Sequence, residues 1–261
     1  MSQQQLLAGR MSDYWVTVYK RSWRGSVISS FVTPLLYVLA MGVFLGGFIK
    51  GDPAKLEGAT SYLMFVAPGM VAAQSMTVVF GEMTYPVMSA LKWHKTYFSM
   101  IATPLSVRDI VVSNLGFVLA RVALTSGVFL LVMAPFGVFS SVLGVVLAFL
   151  VQLLIGLAFA TPLFALTASL KDESVFSLIF RLGMIPMFLF SGAFFPVANL
   201  DPVLEVVAKL TPLWHGVDLT RMLTVGHVHA GWAVVHVVYL GALAVAGYLL
   251  VVRALQRRLV A

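Results

Sequence analysis

The sequence contains no cysteine. That excludes disulfides, thiol nucleophiles, iron–sulfur clusters and cysteine zinc sites, and it leaves the redox compartment undetermined. Charge is scarce as well: 10% of the 261 residues are Asp, Glu, Lys or Arg, against roughly 25% in a soluble domain. No G-x-x-x-x-G-K-[ST] phosphate loop occurs, so ATP cannot bind this chain in the P-loop manner. HExxH, paired carboxylates and a nucleophile with a convergent base are missing too, and no catalytic residue is assigned.

What is present is apolar. Hydrophobic residues make up 60% of the chain and the mean hydropathy is +0.97, which makes the bilayer its solvent. Each span needs about 20 apolar residues plus a connection, so the length fits about six spans of an all-α integral membrane protein. The formal charge of +7 does not indicate nucleic acid. The basic residues flank apolar runs and form no patch interleaved with aromatics.

The pattern predicts spans at about 27–49, 61–85, 108–134, 142–170, 174–196 and 231–252. No charged residue lies between Val122 and Leu170, a stretch of about 74 Å as a helix and more than twice the hydrocarbon thickness. It must turn once, and Pro135 to Ser141 supplies the breakers. Residues 1–26 are read as a cytoplasmic tail with an interfacial helix, 27–253 as the transmembrane domain and 254–261 as a cytoplasmic tail. The first apolar run is too long for a signal-peptide core and lacks a small-residue cleavage pattern.

Orientation follows from Lys and Arg, which cytoplasmic loops retain. With both termini inside, Arg10, Lys20, Arg21, Arg24, Lys92, Lys95, Arg108, Lys171, Arg253, Arg257 and Arg258 lie inside. Lys50, Lys55, Lys209 and Arg221 lie outside, and Arg121 and Arg181 fall within spans. Five or seven spans would weaken this bias.

Before the first span, Trp15, Tyr19 and Trp23 share one arc of a helical wheel, while Lys20, Arg21 and Arg24 share the other. This is an interfacial helix. It serves either as a basic anchor or as a surface for a partner subunit. The loop between the second and third spans carries Lys92, Trp93, His94, Lys95, Thr96, Tyr97 and Phe98. Such a segment suits either a short helix docked in a partner's groove or an anchor on lipid headgroups.

Near the C-terminus, Phe190-Ser191-Gly192-Ala193-Phe194-Phe195-Pro196 breaks an apolar helix, and Thr211 to Arg221 follows before the last span. Asp201-Pro202 and Thr211-Pro212 are helix starts, with a capping side chain and Pro at the first position. Glu205 and Lys209 form an i, i+4 pair. Two short helices are therefore expected between spans five and six, dipping partly into the membrane. Irregular backbone at that depth must face protein or a cavity. Phe190, Phe194, Phe195 and Pro196 then either line an exit route or pack against the short helices.

Charged residues inside spans are costly. Glu82, Arg121 and Arg181 qualify, as a Glu82–Arg121 pair, as snorkelling side chains or as substrate contacts. His227 and His229 with His215 make a weak metal pattern, and no metal is assigned. Gly42-x-x-x-Gly46 permits close helix packing but is frequent in apolar spans.

The Phe190–Pro196 break, the Thr211–Arg221 segment and Thr103-Pro104-Leu105-Ser106 after the Lys92–Phe98 loop together resemble the ABC-2 family of ATP-powered export permeases. The similarity extends over essentially the whole chain. The nearest subgroup is the one containing the nodulation lipo-oligosaccharide and daunorubicin-type drug exporter permeases. The resemblance implies a coupling helix at Lys92–Phe98 and a re-entrant helical pair that caps the export path.

It further implies a homodimer, or a pair with a close homologue, and two copies of a separate nucleotide-binding ATPase that carries ATP and magnesium. This chain would bind no cofactor itself. An amphipathic lipid, glycolipid, lipo-oligosaccharide or drug would move outward across the bacterial cytoplasmic (inner) membrane. Membrane lipids are further partners, and nucleic acid is not. The competing readings are an ion-gradient secondary transporter, for which no internal repeat is evident, and a lipid-modifying membrane enzyme, for which Asp109, Asp172 and Glu173 are too scattered.

Overall fold

A computed structural model describes residues 56–260 and a few positions between 32 and 44. The interfacial helix at Trp15 to Arg24, the 1–26 tail and most of the 27–49 span lie outside the described residues. Among the described residues there are helices and no strand.

Helix α1 (Tyr62–Met83) starts where the Ser61 hydroxyl accepts the Met64 amide at 3.2 Å. Past a bend at Thr84, α2 (Tyr85–Met88) and a π-helical stretch (Ser89–Trp93) carry the chain into the short α3 (Thr96–Ile101). Helix α4 (Val107–Met133) opens with a capping box. Ser106 Oγ accepts the Asp109 amide at 3.3 Å, and Asp109 Oδ2 accepts the Ser106 amide at 2.9 Å. The Thr103–Ser106 motif thus has a local job, which is to stop one helix and start the next.

The charge-free run turns through a 3₁₀ segment at Ala134–Phe136, and Ser141 caps α5 (Val142–Ser169) through Gly144 N–H at 3.0 Å. The next apolar segment is broken into a 3₁₀ turn (Glu173–Val175), α6 (Phe176–Leu178), a π-helical stretch (Ile179–Met184) and α7 (Ile185–Phe190). Asp201 and Thr211 cap α8 (Pro202–Lys209) and α9 (Pro212–Val225), and α10 (Ala230–Leu259) follows.

Among the described residues five helical segments are long and apolar enough to cross a bilayer: Tyr62–Trp93, Val107–Phe136, Val142–Ser169, Glu173–Phe190 and Ala230–Leu259. Their burial differs sharply. The first is 72% buried in its most apolar stretch and the fourth only 6%, so Glu173–Phe190 lies at the periphery of the described bundle.

Helix α5 is the centre, with α1, α4, α9 and α10 packed against it. Ile155, Phe159 and Phe164 fill the core with Met76, Val79 and Val118. Buried polar bonds fix the register. Gln152 accepts from the Ser75 hydroxyl and donates to the Thr220 hydroxyl, each at 3.0 Å, joining α1, α5 and α9. Thr167 donates to the Met83 carbonyl at 2.8 Å. Hydrocarbon offers no replacement partner, so such a bond between spans contributes about 0.6 to 2 kcal/mol.

The connections gather at two ends. One holds the start of α1, the 134–142 turn and residues 190–230, and it is here termed the Arg221 end. The other holds residues 84–106, the 170–173 turn and the last turns of α10, and it is termed the Trp93 end.

Candidate functional site

At the Arg221 end the apolar helix stops at Phe190, six residues before the expected limit at Pro196. Gly192 takes φ +81°, a left-handed conformation that a side chain would disfavour. The turn this creates tucks Ser191, Gly192 and Ala193 into the protein. The expected gate aromatics separate as a result. Phe190 is 40% exposed, Phe194 packs edge-on against Phe188 at 5.1 Å, Phe195 is half-buried and Pro196 is buried. The Tyr62 hydroxyl donates to the Phe194 carbonyl at 2.9 Å, pinning the break to the start of α1.

Arg221 on α9 is the hub of this end. Its guanidinium is buried. Nη2 donates to the Gly192 carbonyl at 2.5 Å, Nε donates to the Phe65 carbonyl at 3.3 Å, and Nη1 forms a salt bridge with Glu57. The Phe65 ring lies 3.9 Å from the guanidinium carbon, a cation–π contact. Burial pulls the guanidinium below its ordinary pKa, and the Glu57 and Asp218 carboxylates oppose that shift. One side chain thereby clamps α9, α1, the loop before α1 and the break after α7.

A second buried cluster joins α9 to α10. His215 Nδ1 and His236 Nδ1 are 2.7 Å apart, and His236 Nε2 lies 2.9 Å from Asp218 Oδ2. A proton between the two Nδ1 atoms and another on His236 Nε2 satisfy both contacts. Tyr239 stacks on His215 at 3.9 Å, and Trp214 meets both imidazoles edge-on. Burial lowers the His215 pKa to about 4, with the His236 charge adding to the effect and Asp218 opposing it.

Sequence reasoning grouped His215 with His227 and His229, but its ring partner is His236. Among the described residues no group of three or more His, Asp or Glu is placed to hold a metal. Sequence reasoning also passed over Glu57, Asp218, Arg221 and His236 as functional residues. The available signal was the polar run His215, Asp218, Arg221 at three-residue spacing in an otherwise apolar helix. Beside the cluster is a cavity of about 410 Å³ bordered by Glu57, Trp214, Asp218, Arg221, His227 and Trp232.

The Trp93 end divides the expected coupling residues. Tyr97 is buried, with its hydroxyl donating to Asn114 Oδ1 at 2.8 Å and its ring against Phe164. Lys92 is tied to Glu173 at 2.8 Å, and the His94 ring accepts from or donates to Ser89 Oγ at 2.6 Å. Trp93, at 50% exposure, and Phe98, at 40%, face outward beside exposed Lys95 and half-buried Thr96.

Inside the bundle, Glu82 on α1 and Arg121 on α4 form a salt bridge at 3.1 Å. Arg181 sits exposed on the peripheral fourth segment and forms no salt bridge with that pair.

Bilayer-length apolar helices, buried polar links between them and short capped helices clamped at one end define a multi-pass membrane protein. The ABC-2 type transporter family matches residues 11–224, and the chain belongs to that family. It is similar to nodulation protein J of Rhizobium leguminosarum bv. trifolii, 31% identical over 220 residues and 82% of each chain. It is also similar to nodulation protein J of Rhizobium meliloti (strain 1021), 29% identical over 254 residues and 94% of each chain. No solved structure matches the chain. Membership makes this a transporter subunit rather than an enzyme, of a family whose membrane subunits pair with an ATP-binding subunit.

Proposed function

We propose that the chain is the permease of an ATP-binding cassette exporter in a bacterial inner membrane, moving an amphipathic molecule with a lipid or glycolipid character outward. In this reading there are six spans, the first at about 27–49, and both termini are cytoplasmic. The α8–α9 pair is the re-entrant cap between spans five and six. Two permeases enclose the path, with the peripheral Glu173–Phe190 segment turned toward it, and two copies of a separate ATPase hydrolyse magnesium–ATP below. The resemblance to nodulation-type permeases, with the similarity to nodulation protein J beside it, supports a lipo-oligosaccharide as the kind of cargo.

The observation that carries this reading is the outward pair Trp93 and Phe98. They stand on a segment anchored from inside by buried Tyr97, and their exposed rings present an apolar knob at this end of the bundle. A knob of that kind fits a groove on a partner that supplies force. In proteoliposomes containing the chain and a co-purified ATPase, a fluorescent lipo-oligosaccharide should cross the bilayer only with ATP. Transport by the chain alone, driven by an imposed proton or sodium gradient, would overturn the proposal.

A further inference from the structure

Between the second halves of α5 and α10, at the Trp93 end, lies a cleft of about 900 Å³. Beyond Pro162, the deepest α5 residue of its lining, the two helices close on each other: at Gly247 a side chain's first carbon would lie 2.6 Å from the Pro162 nitrogen. The Thr161 hydroxyl donates to the Ala244 carbonyl at 3.0 Å just above. Its other end is crossed by Arg258, whose Nη1 donates to the Ala168 carbonyl at 2.9 Å and to the Leu170 carbonyl. These are orphan acceptors at the C-terminus of α5, so the Arg258 charge is committed to the fold.

The remaining cations on the cleft, Lys171, Arg253 and Arg257, are exposed. Among the described residues none of them forms a salt bridge. The adjacent acids are otherwise engaged. Asp172 accepts from Ser174 N–H at 3.0 Å, and Glu173 is paired with Lys92. Toward the closed end the cleft turns apolar along Leu166 and Leu250, which are 42% and 53% exposed.

From Pro162 to Lys171 the wall is about 14 Å long at helical rise, close to half the roughly 30 Å hydrocarbon thickness. One surface therefore combines three cations at its mouth with an apolar wall one leaflet deep. We infer that this cleft binds an anionic phospholipid of the surrounding leaflet, its phosphate among Lys171, Arg253 and Arg257 and its acyl chains along Leu166 and Leu250. Guanidinium forks match phosphate oxygens in pairs, and basic pockets between spans suit such headgroups. Free phosphate would use the cations and leave the apolar wall unused. Carboxylates of a soluble partner would reach the mouth but not the hydrocarbon depth. The inference needs only that the helices lie in a bilayer, and it stands whatever cargo is moved.

The test uses the full chain, with its co-purifying subunits, delipidated in dodecyl maltoside. Phosphatidylglycerol, phosphatidylcholine or inorganic phosphate is added, and the unfolding midpoint and the lipids retained in native mass spectrometry are read. Phosphatidylglycerol should raise the midpoint and remain as discrete adducts, less so at 1 M salt than at 0.1 M. Phosphatidylcholine and inorganic phosphate should do neither. Lys171→Gln with Arg253→Gln and Arg257→Gln should weaken retention about tenfold or more, while R253K with R257K keeps most of it. Should the triple variant lose monodispersity, R253Q and R257Q singly should each give a smaller loss. Equal retention of both lipids overturns the inference. So does a midpoint shift from inorganic phosphate alone, undiminished phosphatidylglycerol binding in the triple variant, or a triple variant that loses only its ATPase subunit.

Discussion

Glu57 and Arg221 stand 164 positions apart and form a salt bridge in which the guanidinium is 5% exposed and the carboxylate 35%. The pair fastens a helix near the end of the chain to the loop before the first described span. Two backbone carbonyls and an aromatic face complete the guanidinium's surroundings, which is what permits a charge to stay at this depth.

Removing Arg221 should be among the most damaging single changes. Arg221→Ala leaves the buried Gly192 carbonyl without its donor and the one-third exposed Glu57 without its counter-charge, and is expected to cost about 1 to 3 kcal/mol. Arg221→Lys, which cannot serve three acceptors in a fork, should recover only part of that. Thermal midpoints in detergent read the order wild type, Lys, Ala. An Ala variant as stable as wild type would show that the clamp contributes nothing.

The Glu82–Arg121 bridge invites a double-mutant cycle. If the pair is structural, E82Q and R121Q should couple by about 0.5 to 3 kcal/mol in stability, with cargo selectivity unchanged in each. Zero coupling together with altered selectivity would move these residues from the scaffold to the transport path.

The His215–His236 contact predicts a pH dependence of fixed sign. An unfolded His215 takes up a proton at its ordinary value near 6.5, whereas the folded one waits until about 4. Protonation therefore favours the unfolded state, and the stabilising contribution is complete above pH 6.5 and lost between 6.5 and 4. His236, Asp218 and Tyr239 are the titratable side chains that face His215. The midpoint should be level above pH 7 and fall toward pH 4. His215→Phe should flatten that fall, and an unaltered slope would contradict the assignment.

Tyr97 is a supporting residue, so Tyr97→Phe should lower stability by about 1 kcal/mol through its lost bond to Asn114. Any coupling to a partner should be nearly intact, as measured by ATPase rate in the co-purified complex.

Much of the local architecture was legible because its causes are local. Asp201 before Pro202 and Thr211 before Pro212 each cap a helix-end amide within three residues, and Glu205 reaches Lys209 one turn away. The Glu82–Arg121 pairing was also within reach, because a charge in hydrocarbon narrows the choice of partner. Features set by helix packing were harder to see. No spacing rule connects Glu57 with Arg221, or His215 with His236. The sequence points to Pro196 as the end of the fifth span because proline is the louder breaker, whereas in the structure the Gly192 turn acts first. Tyr97 reads in the sequence as one more loop aromatic, because Asn114 on α4 and Phe164 on α5, which cover it, are distant along the chain.

The central claim is that a separate ATPase drives this chain through the exposed Trp93–Phe98 knob. Its most direct test is the ATPase rate of the co-purified complex in nanodiscs, for wild type and for Trp93→Glu with Phe98→Glu. The account predicts that the double variant folds with an unchanged midpoint, because both side chains already face outward, but loses ATPase binding or cargo-stimulated hydrolysis by about tenfold or more. A double variant that binds its ATPase and responds to cargo as wild type does would contradict it.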